Sequence, residues 1–248
     1  MMKRLIQSIL VCSLLSPLFS VAEPADEHQR ASDQIRARLL AARPDIPILD
    51  IQPTEMSGIY VVSLPAGQVL HFSADGQFFF NGDLYKVEDR LVNITEEGRS
   101  TARKAMMDEL DESQMVVFSP AKERVKATLT IFTDIDCVFC RKLHNEVPEL
   151  NRLGVAVRYL AYPRSGENTP SYDKLVSAWC AENPQIALTR AKAGETIEQA
   201  LCVNPVASQY ELGARLGVNS TPSVIYEDGT LAPGYKTAAE FAQILGVL

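Results

Sequence analysis

A β-type run that leads directly into a Cys-x-x-Cys pair constrains the fold of this chain more than any other feature. Residues 127–132 read Ala-Thr-Leu-Thr-Ile-Phe, Cys137 and Cys140 follow, and the next segment has helical spacing. A strand that delivers two cysteines to the first turn of a helix places the first sulfur beside unpaired backbone N–H groups and the positive end of the helix dipole. Because this environment favours thiolate over thiol, the pattern predicts a redox-active dithiol with Cys137 as the attacking sulfur.

The segments around this motif predict a βαβ unit with additions. Residues 115–118 and 155–160 are also strand-like, so strand, cysteine helix and strand follow one another. Residues 171–211 indicate a largely helical insertion. Residues 221–226 and 230–231 then flank an Asp-Gly turn, which is typical of a hairpin, and a last helix is predicted over residues 237–245.

The upstream half has a different pattern. Residues 27–43 predict an amphipathic helix, and four short β-rich runs separated by turn dipeptides predict an antiparallel meander; the runs are residues 58–64, 68–72, 77–80 and 86–87. A core this small gains stability from pairing with a second copy. The aromatic residues Phe78, Phe79 and Phe80 are expected in the core rather than at an interface edge. Residues 97–113 predict a helical connector.

The N-terminus has the pattern of a cleaved secretory signal. Lys3 and Arg4 precede the apolar run 5–19, and Ser20-Val21-Ala22 supplies small residues for cleavage after Ala22. That run is short for a membrane span and no later stretch approaches eighteen apolar residues, so an exported chain without membrane insertion is predicted.

The charge balance argues against nucleic acid as a partner. Of the 24 basic residues, removal of Lys3 and Arg4 leaves 22 against 31 acidic residues, which changes the net charge from −7 to −9. An acidic chain without a Lys/Arg cluster is a poor match for nucleic acid or an anionic membrane.

Several alternatives exist for the Cys-x-x-Cys pair. Zinc normally uses two such pairs or paired histidines, and the chain has only His28, His71 and His144, so no metal is expected. Haem attachment needs a histidine where Arg141 stands. A purely structural disulfide across two intervening residues constrains the unfolded chain little, which makes it the weaker explanation.

Two further features accompany the dithiol. With Cys12 in the signal, Cys180 and Cys202 remain, and they are predicted to form a structural disulfide worth about 3 kcal/mol, with a second redox pair as the alternative. Thr221-Pro222 precedes the hairpin, where a cis bond is expected beside the dithiol, so that the Thr221 backbone faces a bound peptide.

Charged residues near the dithiol act in opposite directions. Arg141, Lys142 and His144 favour a thiolate at Cys137, whereas Asp134 and Asp136 oppose it. The sequence does not decide which set prevails.

With these motifs in hand, the chain resembles the DsbC/DsbG family of bacterial thiol:disulfide isomerases within the thioredoxin superfamily. The likeness covers nearly the whole chain after the signal. It is carried by residues 50–53, 82–87, 132–137 with 140–144, 158–164, 179–181, 216–222 and 229–235. One departure is that Val138 and Phe139 stand between the cysteines, where the family usually has Gly and Tyr.

The resemblance implies an α+β chain with a cystatin-like N-terminal dimerisation domain, a linker helix and a C-terminal thioredoxin fold with a helical insertion. After the signal peptide of residues 1–22, the expected boundaries are residues 23–96, 97–114 and 115–248, with the insertion at about 166–215.

The resemblance also implies partners and an activity. It implies a V-shaped periplasmic homodimer that binds misfolded disulfide-containing exported proteins, needs no cofactor, and is kept reduced by a membrane-embedded, DsbD-like thiol reductase. The expected activity is isomerisation or reduction through a mixed disulfide at Cys137. The alternatives are a DsbG-like reductase of oxidised single thiols, a DsbA-like oxidant, and a holdase without enzymatic activity.

Overall fold

The structure is a computed structural model that describes residues 24–248. The predicted signal peptide and Cys12 lie outside the described residues. Within the described range, no helix combines the length and the apolar character that a membrane crossing requires.

The N-terminal part packs one helix on an antiparallel sheet. Helix α1 buries Ile35 and Leu39, which are one turn apart, against Val62 and Phe72 of the sheet. The strands of the sheet are hydrogen-bonded in the order β1–β2–β3–β4, while β5 and β6 pair with each other. The elements are α1 (Pro24–Ala42), β1 (Asp50–Pro53), β2 (Ile59–Ser63), β3 (Val69–Ser73), β4 (Phe79–Phe80), β5 (Tyr85–Val87) and β6 (Leu91–Asn93).

The prediction that the three consecutive phenylalanines lie in the core is wrong. Phe78 is 72% exposed, and Phe79 and Phe80 are also exposed. Phe79 and Phe80 each stack on a ring of β3, Phe72 and His71 respectively. Their strand, β4, holds only two residues and lies at the edge of the sheet.

A helix, α2 (Ile94–Asp108), connects the two parts of the chain. It begins where the Asn93 side chain accepts a hydrogen bond from the backbone N–H of Glu96, an N-cap that satisfies one of the free donors of the first turn. Met106 and Met107 on its second half pack against a cluster that includes Leu216. The connector is therefore docked on the C-terminal part.

The C-terminal part is built on a mixed sheet with β8 at its centre. The strand order is β11–β10–β8–β9–β7, in which β8 and β9 are parallel and the other pairs are antiparallel. Every residue of β8 is buried, including its three threonines, as is typical of a central strand that is covered on both faces. The strands are β7 (Val116–Phe118), β8 (Ala127–Thr133), β9 (Val155–Ala161), β10 (Ser223–Ile225) and β11 (Leu231–Pro233).

Helices surround this sheet, and three of them form the insertion between β9 and β10. The final helix starts with a reciprocal capping box between Thr237 and Glu240 and ends at Gly246, whose φ of 65° is in the left-handed region. Residues 195–205 of this largely helical insertion form a loop. The helices are α3 (Val138–Asn145), α4 (Val147–Leu153), α5 (Pro170–Trp179), α6 (Pro184–Lys192), α7 (Val206–Arg215) and α8 (Ala238–Leu245).

Candidate functional site

The two cysteines of the motif lie at the junction of β8 and α3. Cys137 is the N-cap residue of α3, and Cys140 lies in its first turn. Both are free thiols, and both are buried, with 2% and 1% of their surface exposed. The central strand therefore carries the dithiol to a helix N-terminus, as the sequence pattern predicts.

The structure brings the Thr221–Pro222 segment to this junction. The peptide bond between the two residues is cis. Cys137 Sγ lies 3.2 Å from the backbone carbonyl oxygen of Thr221, to which it donates when the thiol is protonated. Because β10 starts at Ser223 and pairs directly with β8, the hairpin fixes this segment against the cysteines.

The surroundings of Cys137 favour its thiolate. The thiol of Cys140 makes the largest contribution, and burial opposes it. The thiolate is further stabilised by Thr221, by the backbone N–H of Cys140 and by the positive charge of Arg164. All of these contributions together lower the pKa of Cys137 to about 5. At neutral pH Cys137 is therefore ionised, which is the state that attacks disulfides.

Cys140 has the opposite behaviour. Burial is the main cause that raises the pKa of its thiol far above the ordinary value, and the neighbouring Cys137 adds to the shift. The two sulfurs thus differ in role before any substrate binds: Cys137 is a thiolate, and Cys140 is a protonated thiol.

The carboxylate of Asp134, which was expected to oppose the thiolate, is compensated. Burial disfavours its charge, but hydrogen bonds from Ser171 Oγ (2.7 Å), the Arg164 backbone N–H (3.0 Å) and Arg164 Nε (3.1 Å) outweigh burial, so its pKa is lowered. Asp134 in turn holds the guanidinium of Arg164 close enough to Cys137 to favour the thiolate.

The other charged neighbours also differ from expectation. Asp136 is paired with Lys174 at 2.8 Å and with Arg141 at 3.4 Å. The expectation that His144 supplies positive charge is wrong. Burial, and then the charge of Lys192, lower the pKa of His144 to about 4, so the ring is neutral near pH 7.

The second cysteine pair lies in the insertion. Cys180 follows α5 and Cys202 lies in the loop before α7, and the two are joined by a disulfide that closes a separation of 22 positions. Among residues 24–248 no three His, Cys, Asp or Glu side chains are grouped in a way that could hold a metal ion.

Two apolar side chains project from the dithiol loop. Val138 and Phe139, between the cysteines, are both exposed, and the Lys142 ammonium lies 5.9 Å from the centre of the Phe139 ring. They form an uncovered apolar surface directly beside Cys137. A groove of about 720 Å³ between the N-terminal sheet and α2 includes none of the cysteines and lies apart from this site.

Sequence reasoning missed three residues of the site. Arg164 and Lys192 come from the segments after β9 and at the end of α6, and Thr133 is the last residue of β8. Arg164 is far from the motif in sequence, and a lysine at the end of a helix is usually solvated. Only the tertiary fold brings these groups to the cysteines.

Comparisons with known proteins agree with this architecture. Residues 113–247 match the family profile of the thioredoxin-like domain, and residues 21–96 match that of the disulfide bond isomerase protein N-terminal domain. The chain is also similar to solved structures that carry the thioredoxin-type fold. A disulfide interchange protein from Neisseria gonorrhoeae aligns with a TM-score of 0.50 at 24% identity, over 55% of this chain and 96% of that one.

Curated relatives match over most of their length. The thiol:disulfide interchange protein DsbC of Escherichia coli K12 is 34% identical over 217 residues, which cover 86% of this chain and 88% of that protein. The DsbC protein of Haemophilus influenzae is 35% identical over 198 residues, covering 79% and 82%. The α+β fold and the family resemblance inferred from the sequence are thereby confirmed, and the chain belongs to the DsbC family of thiol:disulfide interchange proteins.

Proposed function

We propose that this protein is a periplasmic disulfide isomerase and reductase that rearranges wrong disulfides in exported proteins, with Cys137 and Cys140 as its catalytic residues. The observation that carries the proposal is the position of Cys137. Its sulfur lies at the start of α3, with a pKa of about 5, and contacts the backbone carbonyl of Thr221 at 3.2 Å. An ionised sulfur beside the backbone of Thr221 is suited to attack a disulfide in another chain.

The first chemical step is a thiol–disulfide exchange. The Cys137 thiolate attacks one sulfur of the substrate disulfide, a new bond forms between the two sulfurs, and the other substrate sulfur leaves as a thiolate. If a second substrate thiolate then attacks the mixed disulfide, Cys137 is released and the substrate disulfide is isomerised. If Cys140 attacks instead, the substrate leaves reduced and Cys137 and Cys140 become a disulfide.

The substrate chain has two contacts available beside Cys137. An extended peptide pairs with the backbone of Thr221, next to Pro222, in the manner of an added strand. The exposed side chains of Val138 and Phe139 contact the apolar residues that a misfolded protein leaves uncovered. Neither contact selects a particular substrate sequence, which suits an enzyme that acts on many substrates.

The proposed assembly is a homodimer formed through the N-terminal domain of residues 23–96, linked by residues 97–114 to the catalytic domain of residues 115–248. The match to the N-terminal domain of disulfide bond isomerases supports it, and so do the exposed apolar residues of that domain. A membrane-embedded, DsbD-like thiol reductase is the proposed source of electrons. The signal-type N-terminus and the disulfide between Cys180 and Cys202 support an oxidising, extracytoplasmic compartment.

Reactivation of scrambled ribonuclease tests the proposal. The wild-type protein is expected to restore ribonuclease activity, and Cys137→Ser is expected to abolish this because no mixed disulfide can form. Ser113→Ala, an exposed serine between the two domains, is the control and should keep full activity. Reactivation that persists in Cys137→Ser contradicts the proposal.

One observation favours a second function, that of a DsbA-like oxidant. A cysteine with a pKa near 5 stabilises the reduced form, which makes the corresponding disulfide more oxidising. Equilibration of the Cys137–Cys140 pair with glutathione separates the two functions, because the pair of an oxidant becomes fully reduced at a much lower ratio of reduced to oxidised glutathione. Thiol titration of protein taken directly from the periplasm adds a second readout: an isomerase should have two free thiols and one disulfide.

A further inference from the structure

A buried lysine lies beneath the dithiol. Lys192, the last residue of α6, is only 3% exposed. Its Nζ donates to Thr133 Oγ1 at 2.7 Å and lies 5.4 Å from the centre of the Tyr159 ring. Within the described residues Lys192 forms no ion pair with a carboxylate.

The hydroxyl that accepts from Lys192 also acts on the resolving cysteine. Thr133 is fully buried, and its hydroxyl favours the ionised form of the Cys140 thiol. The Lys192 ammonium, the Thr133 hydroxyl and the Cys140 thiol therefore lie together inside the fold. The other ionisable groups that face Lys192 are Asp134 and Cys137 near the end of β8, Arg141 and His144 on α3, and Tyr159 on β9.

A buried ammonium group without a carboxylate is costly, and an apolar side chain would fill the same volume without that cost. Burial lowers the pKa of Lys192 to about 8, while the nearby sulfurs and Asp134 act to raise it. The positive charge of Lys192 in turn favours the ionised form of Cys140. The arrangement is therefore most favourable when Cys140 is a thiolate.

We propose, on the basis of the function proposed above, that Lys192 is a positioning residue that acts through Thr133 to stabilise the thiolate which Cys140 forms when it attacks the mixed disulfide. Before that step the pair of Cys140 and Lys192 loses one proton to water, which leaves the Cys140 thiolate beside the Lys192 ammonium. The Cys140 sulfur bonds to Cys137 and the substrate sulfur leaves with the electron pair. The substrate disulfide is reduced by two electrons, and the enzyme dithiol is oxidised by two. Lys192 thus favours reduction over renewed attack by the substrate.

The proposal has a characteristic pH dependence. Cys140 and Lys192 share one proton in either of two states: a Cys140 thiolate with a Lys192 ammonium, or a Cys140 thiol with a Lys192 amine. Both states form when the fully protonated pair loses one proton. For the wild type, the rate of the Cys140 step should rise with pH and level off above the Lys192 pKa of about 8. Without the lysine, the rate should continue to rise at higher pH.

Stopped-flow reaction with a symmetrical nitrobenzoate disulfide measures this step directly. Excess reagent first reacts with Cys137 and releases one coloured thiolate, at a rate proportional to reagent concentration. Attack by Cys140 then releases the second thiolate at a rate independent of reagent concentration. Loss of a nearby opposite charge raises the pKa of a thiol by about 1–3 units, which lowers the thiolate fraction about tenfold per unit. The more basic thiolate is also the better nucleophile, and this recovers about half of the loss on a logarithmic scale. Lys192→Met should therefore slow the second phase by about threefold to thirtyfold.

Matched variants separate the possible outcomes. Lys122→Met removes an exposed lysine before β8, outside the site, and should leave the second phase within about twofold of the wild type. Thr133→Val should slow the second phase as Lys192→Met does, and Thr133→Ser, which keeps the hydroxyl, should restore it; this pair tests the proposal even if Lys192→Met does not fold.

A second phase with unchanged rate and pH profile in folded Lys192→Met or Thr133→Val overturns the proposal. Failure of the function proposed above is distinct, since it is measured by ribonuclease reactivation, whereas both phases of this reaction need only the two thiols of the protein.

Discussion

Two cysteines three positions apart have opposite chemistry because of where each residue lies on one helix. Cys137 precedes the first turn, where the thiol of Cys140 and a free backbone N–H group stabilise its charge. Cys140 lies inside that turn, where burial disfavours its charge. The positions of the two residues on the helix therefore help to make Cys137 the nucleophile and to keep Cys140 protonated.

The pH dependence of alkylation at Cys137 follows from this difference. We expect the rate of carboxamidomethylation of Cys137 to have its inflection near pH 5. Because Cys140 makes the largest contribution, Cys140→Ala should move the inflection upward more than Arg164→Met does, since Arg164 is partly exposed to solvent. Mass spectrometry after timed alkylation assigns the reaction to Cys137. A larger shift in Arg164→Met than in Cys140→Ala would contradict this order of contributions.

The same ionisation affects stability. The pKa of Cys137 is lower in the folded protein than in an unfolded chain, where a thiol titrates at about 8.5. Its contribution to the stability of the reduced protein is therefore fully present above the unfolded value and is lost as the pH falls toward about 5. Urea denaturation of the reduced protein at several pH values checks this expectation. In Cys137→Ser the stability should depend less on pH over this interval.

At the scale of elements, local pattern predicted the strands and helices whose hydrophobic faces meet one core. Strand β8, the cysteine helix and the hairpin after Pro222 agree with expectation because their residues satisfy one periodicity and one turn type each. Strands β1 and β6 were missed because each is four residues or fewer and neither has a buried face that alternates along the strand, so that cross-strand pairing defines them.

The candidate site was predictable only as far as its local motif. Cys137, Cys140 and the segment of Thr221 and Pro222 follow from short sequence patterns. Arg164 and Lys192 do not, because their effect on the cysteines depends on tertiary packing and burial. The same reason explains why the charge expected at His144 is absent: position in the core decided its protonation.

The disulfide of the insertion should stabilise the fold without taking part in the chemistry. It closes a loop between α5 and the segment before α7, so Cys180→Ala with Cys202→Ala should lower the free energy of unfolding by about 3 kcal/mol. Denaturant titration measures the loss. Both coloured phases of the nitrobenzoate assay should remain in the double variant. Loss of the first phase in a folded double variant would show instead that this pair supports the active dithiol.

At the scale of the whole molecule, one arginine fastens the connecting helix to the catalytic domain. Arg103 on α2 is buried, and it donates from Nε to the Leu216 carbonyl at 3.0 Å and from a terminal nitrogen to the Gly229 carbonyl at 3.2 Å. It also pairs with Glu96 at 2.8 Å. Gly229 fits closely as well, because a Cβ there would lie 2.0 Å from the Ser100 carbonyl oxygen.

Removal of this arginine should loosen the junction. Arg103→Met leaves two carbonyls without their donor and is expected to cost roughly 1–3 kcal/mol. Limited proteolysis within α2 should become faster, and urea denaturation should occur at lower concentration. Arg99→Met is the matched control, because Arg99 lies on the same helix but contacts Gly67 and Asp83 of the N-terminal domain. Equal proteolysis of the two variants would contradict a specific role for Arg103.

Dimerisation should separate isomerase activity from simple thiol chemistry. Val87 and Leu91 face each other across β5 and β6 and are 78% and 67% exposed, so a second copy of the chain gains by covering them. We expect Val87→Asp with Leu91→Asp to sediment as a monomer at micromolar concentration, whereas Ile244→Asp, at an exposed apolar position on α8, should remain dimeric. Because the dithiol is complete within one chain, the monomer should retain both phases with the nitrobenzoate disulfide. It should lose most of its activity on scrambled ribonuclease, whose large exposed surface needs two facing sites. A monomer with full ribonuclease activity would show that one catalytic domain is sufficient for isomerisation.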